Sequence, residues 1–327
     1  MLALVFPGQG SQRPGMGQSW QDTPSWSVVD ALSAETGRDL AGLLTTADAE
    51  ALRATRNSQI ATYTLSLVIL DAAGRAGLEV TPGRVAAVAG HSLGEYTALV
   101  AAGALTAAAG AHLVRERGEA MQAAADAQPG TMAAVLGLDP DAVAEACRGI
   151  DGAWVANDNA PGQVVIAGTS AGVEAAGQRA KDLGAKRVMP LPVGGAFHSP
   201  LMAPAQVRLD AALAGAAFHE TSVAVVANVD ALPHGDPGGW AGRLSSQLCQ
   251  RVRWRESLLR LSALGADHFL ELGPGTELSG MVKRTVAEAG RSNIATPDDL
   301  AALGDLGDLG DLGDLGGLGG PGGGSSG

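Results

Sequence analysis

The chain is 327 residues long, 46% hydrophobic and 17% charged, a globular balance with enough length to bury a sizeable core. Its net charge of −12 leaves no basic surplus for a phosphate backbone, which excludes nucleic acid as the main partner. No apolar run reaches the roughly 18 residues of a membrane span, and no basic segment precedes the first strand. Cys147 and Cys249 lie far apart and in no metal or redox spacing. The expectation is a reduced, cytoplasmic protein with no membrane contact and no metal or redox cofactor.

Residues 2–6 (LALVF) read as a buried strand ending at Pro7-Gly8, followed by a Gly-rich loop to Gly17. A helical apolar pattern covers 60–73. Residues 85–89 (VAAVA) form a second buried strand, short, apolar and bounded by Gly83 and Gly90. Ser92 follows at once, then helices over 93–102 and 107–125. The next stretch reads strand 132–136, helix 140–147, strands 154–156 and 163–167, helix 171–183 and strand 187–191. That β-α-β-β-α-β order is ferredoxin-like and predicts a small subdomain, 128–193, inserted in a larger unit made of 1–127 and 194–295.

The larger unit resumes with a helix at 200–214, a strand at 223–227, helices at 240–250 and 254–264, a strand at 268–271 and a last helix to about 289. Strands alternating with helices predict an α/β fold with a mostly parallel sheet covered on both faces. Residues 304–315 repeat Gly-Asp-Leu four times. Residues 296–327 are expected to form a disordered tail, since Gly at every third position resists a packed helix.

Residues 90–94 (GHSLG) fit the G-x-S-x-G elbow, in which a serine stands on a tight turn between strand and helix. The flanking glycines relieve crowding, and the helix start offers the amide of Leu93 to a developing oxyanion. A serine nucleophile needs a base, and six histidines compete: His91, His112, His198, His219, His234 and His268. His91 lies on the elbow itself, where a structural role is the simpler reading. His198 stands apart in GGAFHSP (194–200), in a loop at a strand end where catalytic groups collect, although local sequence alone leaves the choice open.

Six segments then carry a resemblance: FPGQGSQ (6–12), GHSLGE (90–95), RGEAMQ (117–122), NDNAPGQVVIAG (157–168), FHSPLM (197–202) and ELGPG (271–275). Together and in this order they are similar to the malonyl-CoA:acyl-carrier-protein transacylase family over roughly residues 1–290. The resemblance implies an α/β-hydrolase-like large subdomain with a ferredoxin-like small one, agreeing with the organisation above. It also implies transfer of malonyl from malonyl-CoA to the phosphopantetheine thiol of a holo acyl carrier protein, for fatty-acid or polyketide synthesis.

Carried over by residue, Ser92 is the nucleophile and His198 the general base, with no third acidic residue required. Gln9 and Leu93 supply the oxyanion amides. Arg117 pairs with the free malonyl carboxylate, a task that suits a planar guanidinium. Gln247, Asn159 and Gln163 are expected near the cleft, and Phe197 is expected to crowd out an α-methyl group. The family suggests a monomer. The wording around His198 leans towards free-standing transferases that serve polyketide synthases. The basic run Arg251, Arg253, Arg255 reads either as a solvated face or as a docking patch for an acidic carrier helix. The rival activity is an editing hydrolase that uses the same Ser–His pair to release acyl groups to water.

Overall fold

The computed structural model describes residues 1–304. β1 (Leu2–Phe6) leads through two 3₁₀ turns to α1 (Ser27–Thr36), α2 (Leu40–Thr45), α3 (Ala49–Arg53) and α4 (Thr55–Arg75). Then come β2 (Val85–Gly90), α5 (Gly94–Ala101) and α6 (Ala107–Ala127). A second unit follows as β3 (Thr131–Leu136), α7 (Pro140–Cys147), β4 (Ala153–Ala160), β5 (Gln163–Gly168), α8 (Ser170–Asp182) and β6 (Arg187–Pro190). The chain returns through α9 (Ala203–Ala214), β7 (Val225–Val226), β8 (Pro233–His234), α10 (Trp240–Gln247) and α11 (Trp254–Ala263). It finishes with β9 (His268–Leu272), α12 (Glu277–Thr285) and β10 (Gly290–Ile294).

The strands form two sheets. The larger runs β10-β9-β1-β2-β7-β8 and is parallel except at β8. Alternation along β1 explains why it is covered on both sides. Leu4 and Phe6 enter the main core, whereas Ala3 and Val5 enter a second core with Trp254, Leu258 and Phe269. The smaller sheet, β4-β5-β3-β6, is antiparallel. Its Val164 and Ile166 pack on α7 and α8, while Val165 and Ala167 turn back to the main core. The small sheet thus sits over the larger unit and presents one face to the cleft between them.

The expected elements are present, with differences that have physical causes. The last helix ends earlier than expected, at Thr285, and residues 290–294, for which no strand was expected, form β10 in register with β9. A polar strand such as GRSNI carries no period-2 apolar signal because it is a sheet edge. The ordered chain also runs past the expected tail boundary at 296. Residues Pro297–Ala301 form a 3₁₀ helix under a Thr296–Asp299 capping box, and Leu300 and Leu303 pack on the main core. Residues 305–327, most of the Gly-Asp-Leu repeat among them, lie outside the described residues. Among the described residues no helix is long and apolar enough to cross a membrane.

Candidate active site

β2 ends at Gly90 and α5 begins at Gly94, so the chain must reverse within three residues. Ser92 stands at the apex with φ of 52°, in the left-handed region that non-glycine residues rarely occupy. A Cβ at position 90 would run into the Gly94 backbone, and one at 94 into the Phe6 carbonyl, so both flanking positions require glycine. The turn is braced by Asn228. Its Oδ1 accepts the Ser92 N–H at 2.7 Å and its Nδ2 donates to the Gly90 carbonyl at 2.7 Å.

His198 comes from the loop before α9 and also has positive φ, 57°. Two non-glycine residues held this way cost about 1–3 kcal/mol each, strain that the surrounding hydrogen bonds hold in place. The imidazole Nε2 lies 2.7 Å from Ser92 Oγ and its Nδ1 lies 2.7 Å from the Gln247 carbonyl oxygen. A carbonyl can only accept, so Nδ1 carries the proton and Nε2 is left to accept from the serine hydroxyl. Burial, and after it the Arg117 charge, depress the His198 pKa to about 3.

Arg117 projects from α6 and is buried. Its Nη1 donates to Gln59 Oε1 at 2.6 Å, and its Nη2 donates to Ser92 Oγ and to Gln247 Oε1, each at 3.0 Å. All three acceptors are neutral, Nε has no partner, and the Tyr96 ring lies 5.7 Å away. A buried cation without a carboxylate partner, facing a serine oxygen, is poised to receive an anion.

Ser92, His198 and Arg117 open onto one cavity of about 200 Å³. Gln9 lies on its rim, and neither the Gln9 nor the Leu93 amide donates a hydrogen bond among the described residues. Met121, Met132, Val165, Leu191, Val193 and Phe197 make the walls apolar. Asn157 and Asn159 reach the cavity from β4, and Asn159 Oδ1 accepts from His91 Nε2 at 2.8 Å. His91 is thereby occupied in bracing the small sheet against the elbow. Gln247 stands behind the serine and contacts Arg117, the Ser92 carbonyl and Glu95.

Gln163, expected at the cleft, is elsewhere. It begins β5, outside the cavity lining, and accepts from Arg284 at 2.7 Å near the surface. The hairpin turn before β5 carries it past the cleft. The basic run is also largely neutralised. Arg253 pairs with Glu256, Arg251 lies 3.7 Å from the same carboxylate, and Arg255 grips the buried Asp158 with Nη2 at 2.8 Å and Nε at 3.0 Å. Asp158 faces away from the cavity because it alternates with Asn157 and Asn159 along β4.

Several site residues, Asn157 among them, escaped sequence reasoning. Gln59, in the polar first turns of α4, and Asn228, in the turn after β7, are visible as site residues only once their burial is known. Glu95 did carry a signal: it is the one charged residue in the apolar run of α5, immediately after the elbow.

Comparison with known proteins agrees with this geometry. The model of the acyl transferase domain family matches residues 3–301. The malonyl CoA-acyl carrier protein transacylase of Bacillus subtilis is 42% identical over 289 residues, 86% of this chain and 90% of that protein. Among solved structures, an acyl carrier protein S-malonyltransferase from Vibrio cholerae superposes with a TM-score of 0.87 at 38% identity, covering 92% of this chain and 99% of that one. A malonyl-transacylase solved in complex with its type II PKS acyl-carrier protein superposes with a TM-score of 0.86 at 35% identity, covering 92% and 98%. The chain is an acyltransferase that belongs to the acyl transferase domain family and, within it, to the malonyl CoA-acyl carrier protein transacylases.

Proposed function

We propose that this protein moves a malonyl group from malonyl-CoA to the phosphopantetheine thiol of a holo acyl carrier protein through a malonyl-Ser92 ester. His198 Nε2 takes the Ser92 hydroxyl proton as Oγ attacks the thioester carbonyl. The resulting oxyanion lies towards the Gln9 and Leu93 amides, a contact worth about 2.7–4 kcal/mol per donor in comparable sites. Collapse of the intermediate breaks the carbon–sulfur bond, and the departing coenzyme A sulfur takes the proton back from His198. In the second half His198 accepts the proton of the carrier thiol, the sulfur attacks the ester, and Ser92 Oγ leaves with that proton.

The observation that carries the substrate class is Arg117, a buried guanidinium bonded to neutral acceptors and 3.0 Å from the nucleophile. A malonyl carboxylate supplies the anion that this site lacks, and Phe197 narrows the same cavity against bulkier acyl groups. The test is intact mass after brief mixing with malonyl-, methylmalonyl- and acetyl-CoA together. A malonyl adduct on the wild type and none on Ser92→Ala is expected. Free coenzyme A accumulating without an adduct would put the hydrolase first.

The carrier docks, in this reading, on the side of the cleft that bears Arg251 and Arg253; Arg255 is committed to Asp158. Reversing the charge at Arg251 and Arg253 is expected to slow transfer to the carrier and leave loading from malonyl-CoA unchanged, measured as the two half-reactions. Equal loss of both, or of neither, counts against the patch. A cytoplasmic monomer needing no cofactor completes the proposal.

A further inference from the structure

Behind the nucleophile lies a carboxylate that the proposed chemistry does not use. Glu95 is buried in the first turn of α5 and has no cation in ion-pair contact among the described residues. Its Oε1 accepts the backbone N–H of Asn228 at 2.7 Å, and its Oε2 accepts from Gln247 Nε2. The same Gln247 Nε2 donates to the Ser92 carbonyl at 2.9 Å, which leaves Gln247 Oε1 facing Arg117 Nη2 at 3.0 Å. Every hydrogen bond in this chain has one direction. Turning the Gln247 amide over would set its oxygen against the Ser92 carbonyl and its NH2 against the Arg117 guanidinium.

We infer that Glu95 is a positioning residue for acyl-group selection: it holds the Gln247 amide with its oxygen towards Arg117, and so aims the guanidinium at the substrate carboxylate. Burial raises the Glu95 pKa to about 8, and two N–H donors converge on its two oxygens, each of which can accept whether the carboxyl is ionised or not. A glutamine there accepts with one atom alone. The Asn228 donor is main chain and cannot turn, so the substituted carbonyl stays with it. The new NH2 then confronts Gln247, which must flip or swing away. Arg117 loses one of its three neutral acceptors, and the carboxylate clamp loosens although no residue touching the substrate has changed. This inference rests on the malonyl reading above.

The experiment is competitive loading of malonyl-CoA against acetyl-CoA, read by intact mass, for wild type, Glu95→Gln, Gln247→Ala and the double variant. A folding defect lowers both adducts together and leaves their ratio alone. The expected result is a malonyl-to-acetyl ratio about tenfold lower in Glu95→Gln, the scale of one charge-assisted hydrogen bond, with no further fall when Glu95→Gln is added to Gln247→Ala. Should Glu95→Gln not fold, Glu95→Asp retracts the carboxylate by one methylene, and the same loss of ratio is expected. An unchanged ratio, or independent losses that multiply in the double variant, would overturn the role of Glu95. A wild type without malonyl preference would instead remove the malonyl reading itself.

Discussion

A histidine that acts as a base must be neutral, and in His198 burial and the neighbouring guanidinium keep it so. The usual imidazole value near 6.5 falls to about 3. The base in the proposed reaction is therefore unprotonated throughout the neutral and mildly acidic range. Loading rate at limiting malonyl-CoA should stay level from about pH 5.5 to 7.5, with no acid limb at the ordinary histidine value; a limb near 6.5 would show that the free imidazole titrates normally. Arg117 belongs to the same scale. Arg117→Lys keeps the charge but loses the planar two-pronged geometry, and malonyl loading is expected to fall about ten- to hundredfold. Acetyl loading, which has no carboxylate to lose, should fall far less in the same competition assay.

Elements set where these side chains point. α6 carries Arg117, and its N-terminus is capped by Thr106 Oγ1, which accepts the Ala109 N–H at 3.1 Å. Thr106→Ala should lower stability by about 1 kcal/mol in urea unfolding, because an orphan helix donor loses its partner. α12, which supplies Glu277, Leu278 and Met281 to the cavity, is held by a carboxylate at the end of β9. Glu271 accepts the N–H groups of Leu278 at 3.1 Å and Ser279 at 2.7 Å. Burial raises the Glu271 pKa from 4.5 to about 7, so the folded protein holds that proton more tightly than the unfolded chain does. Its contribution is full below the unfolded value and is lost as pH rises through 7. Relative to Glu271→Gln, the wild type should therefore lose stability between about pH 5 and 8, read as the difference in urea midpoints; a constant difference would contradict the shift.

At the scale of the whole molecule, the segment entering α11 ties the large unit to β4 through a main-chain bridge and an ion pair, alongside the His91–Asn159 hydrogen bond. Val252, just before α11, pairs with the edge of β4: its N–H donates to Ala156 at 2.8 Å, and its carbonyl accepts from Asp158 at 2.9 Å. Arg255 then closes on the buried Asp158 carboxylate. This pinning fixes the strand from which Asn157 and Asn159 reach the cavity. Removing the arginine strands a buried charge, so Arg255→Ala should destabilise the protein by on the order of 3 kcal/mol. Adding Asp158→Asn should recover a large part of that loss, because the stranded group becomes neutral. Urea unfolding of the single and double variants checks both statements.

The alternation of short apolar runs with helical periods sufficed to write down the α/β class, the β-α-β-β-α-β unit and the elbow at Ser92, because these depend on neighbours within about ten residues. The roles expected of His198 and Arg117 came from the resemblance of their motifs, since local sequence left the base open among six histidines. β10 and the 3₁₀ helix after Thr296 were not, since an edge strand and a capped turn gain their stability from the surfaces they meet. Gln163 was expected at the cleft because its motif was, yet the register of one hairpin moved it to Arg284. Gln59, Asn228 and the orientation of Gln247 became visible only when α4, β7 and α10 were brought against α5. The sequence by itself determined most of the elements and, through its motifs, which groups are candidates for the chemistry. Tertiary structure decided which way each hydrogen bond runs and which charges remain unpaired, because both depend on burial, and burial belongs to the assembled core and not to any one segment.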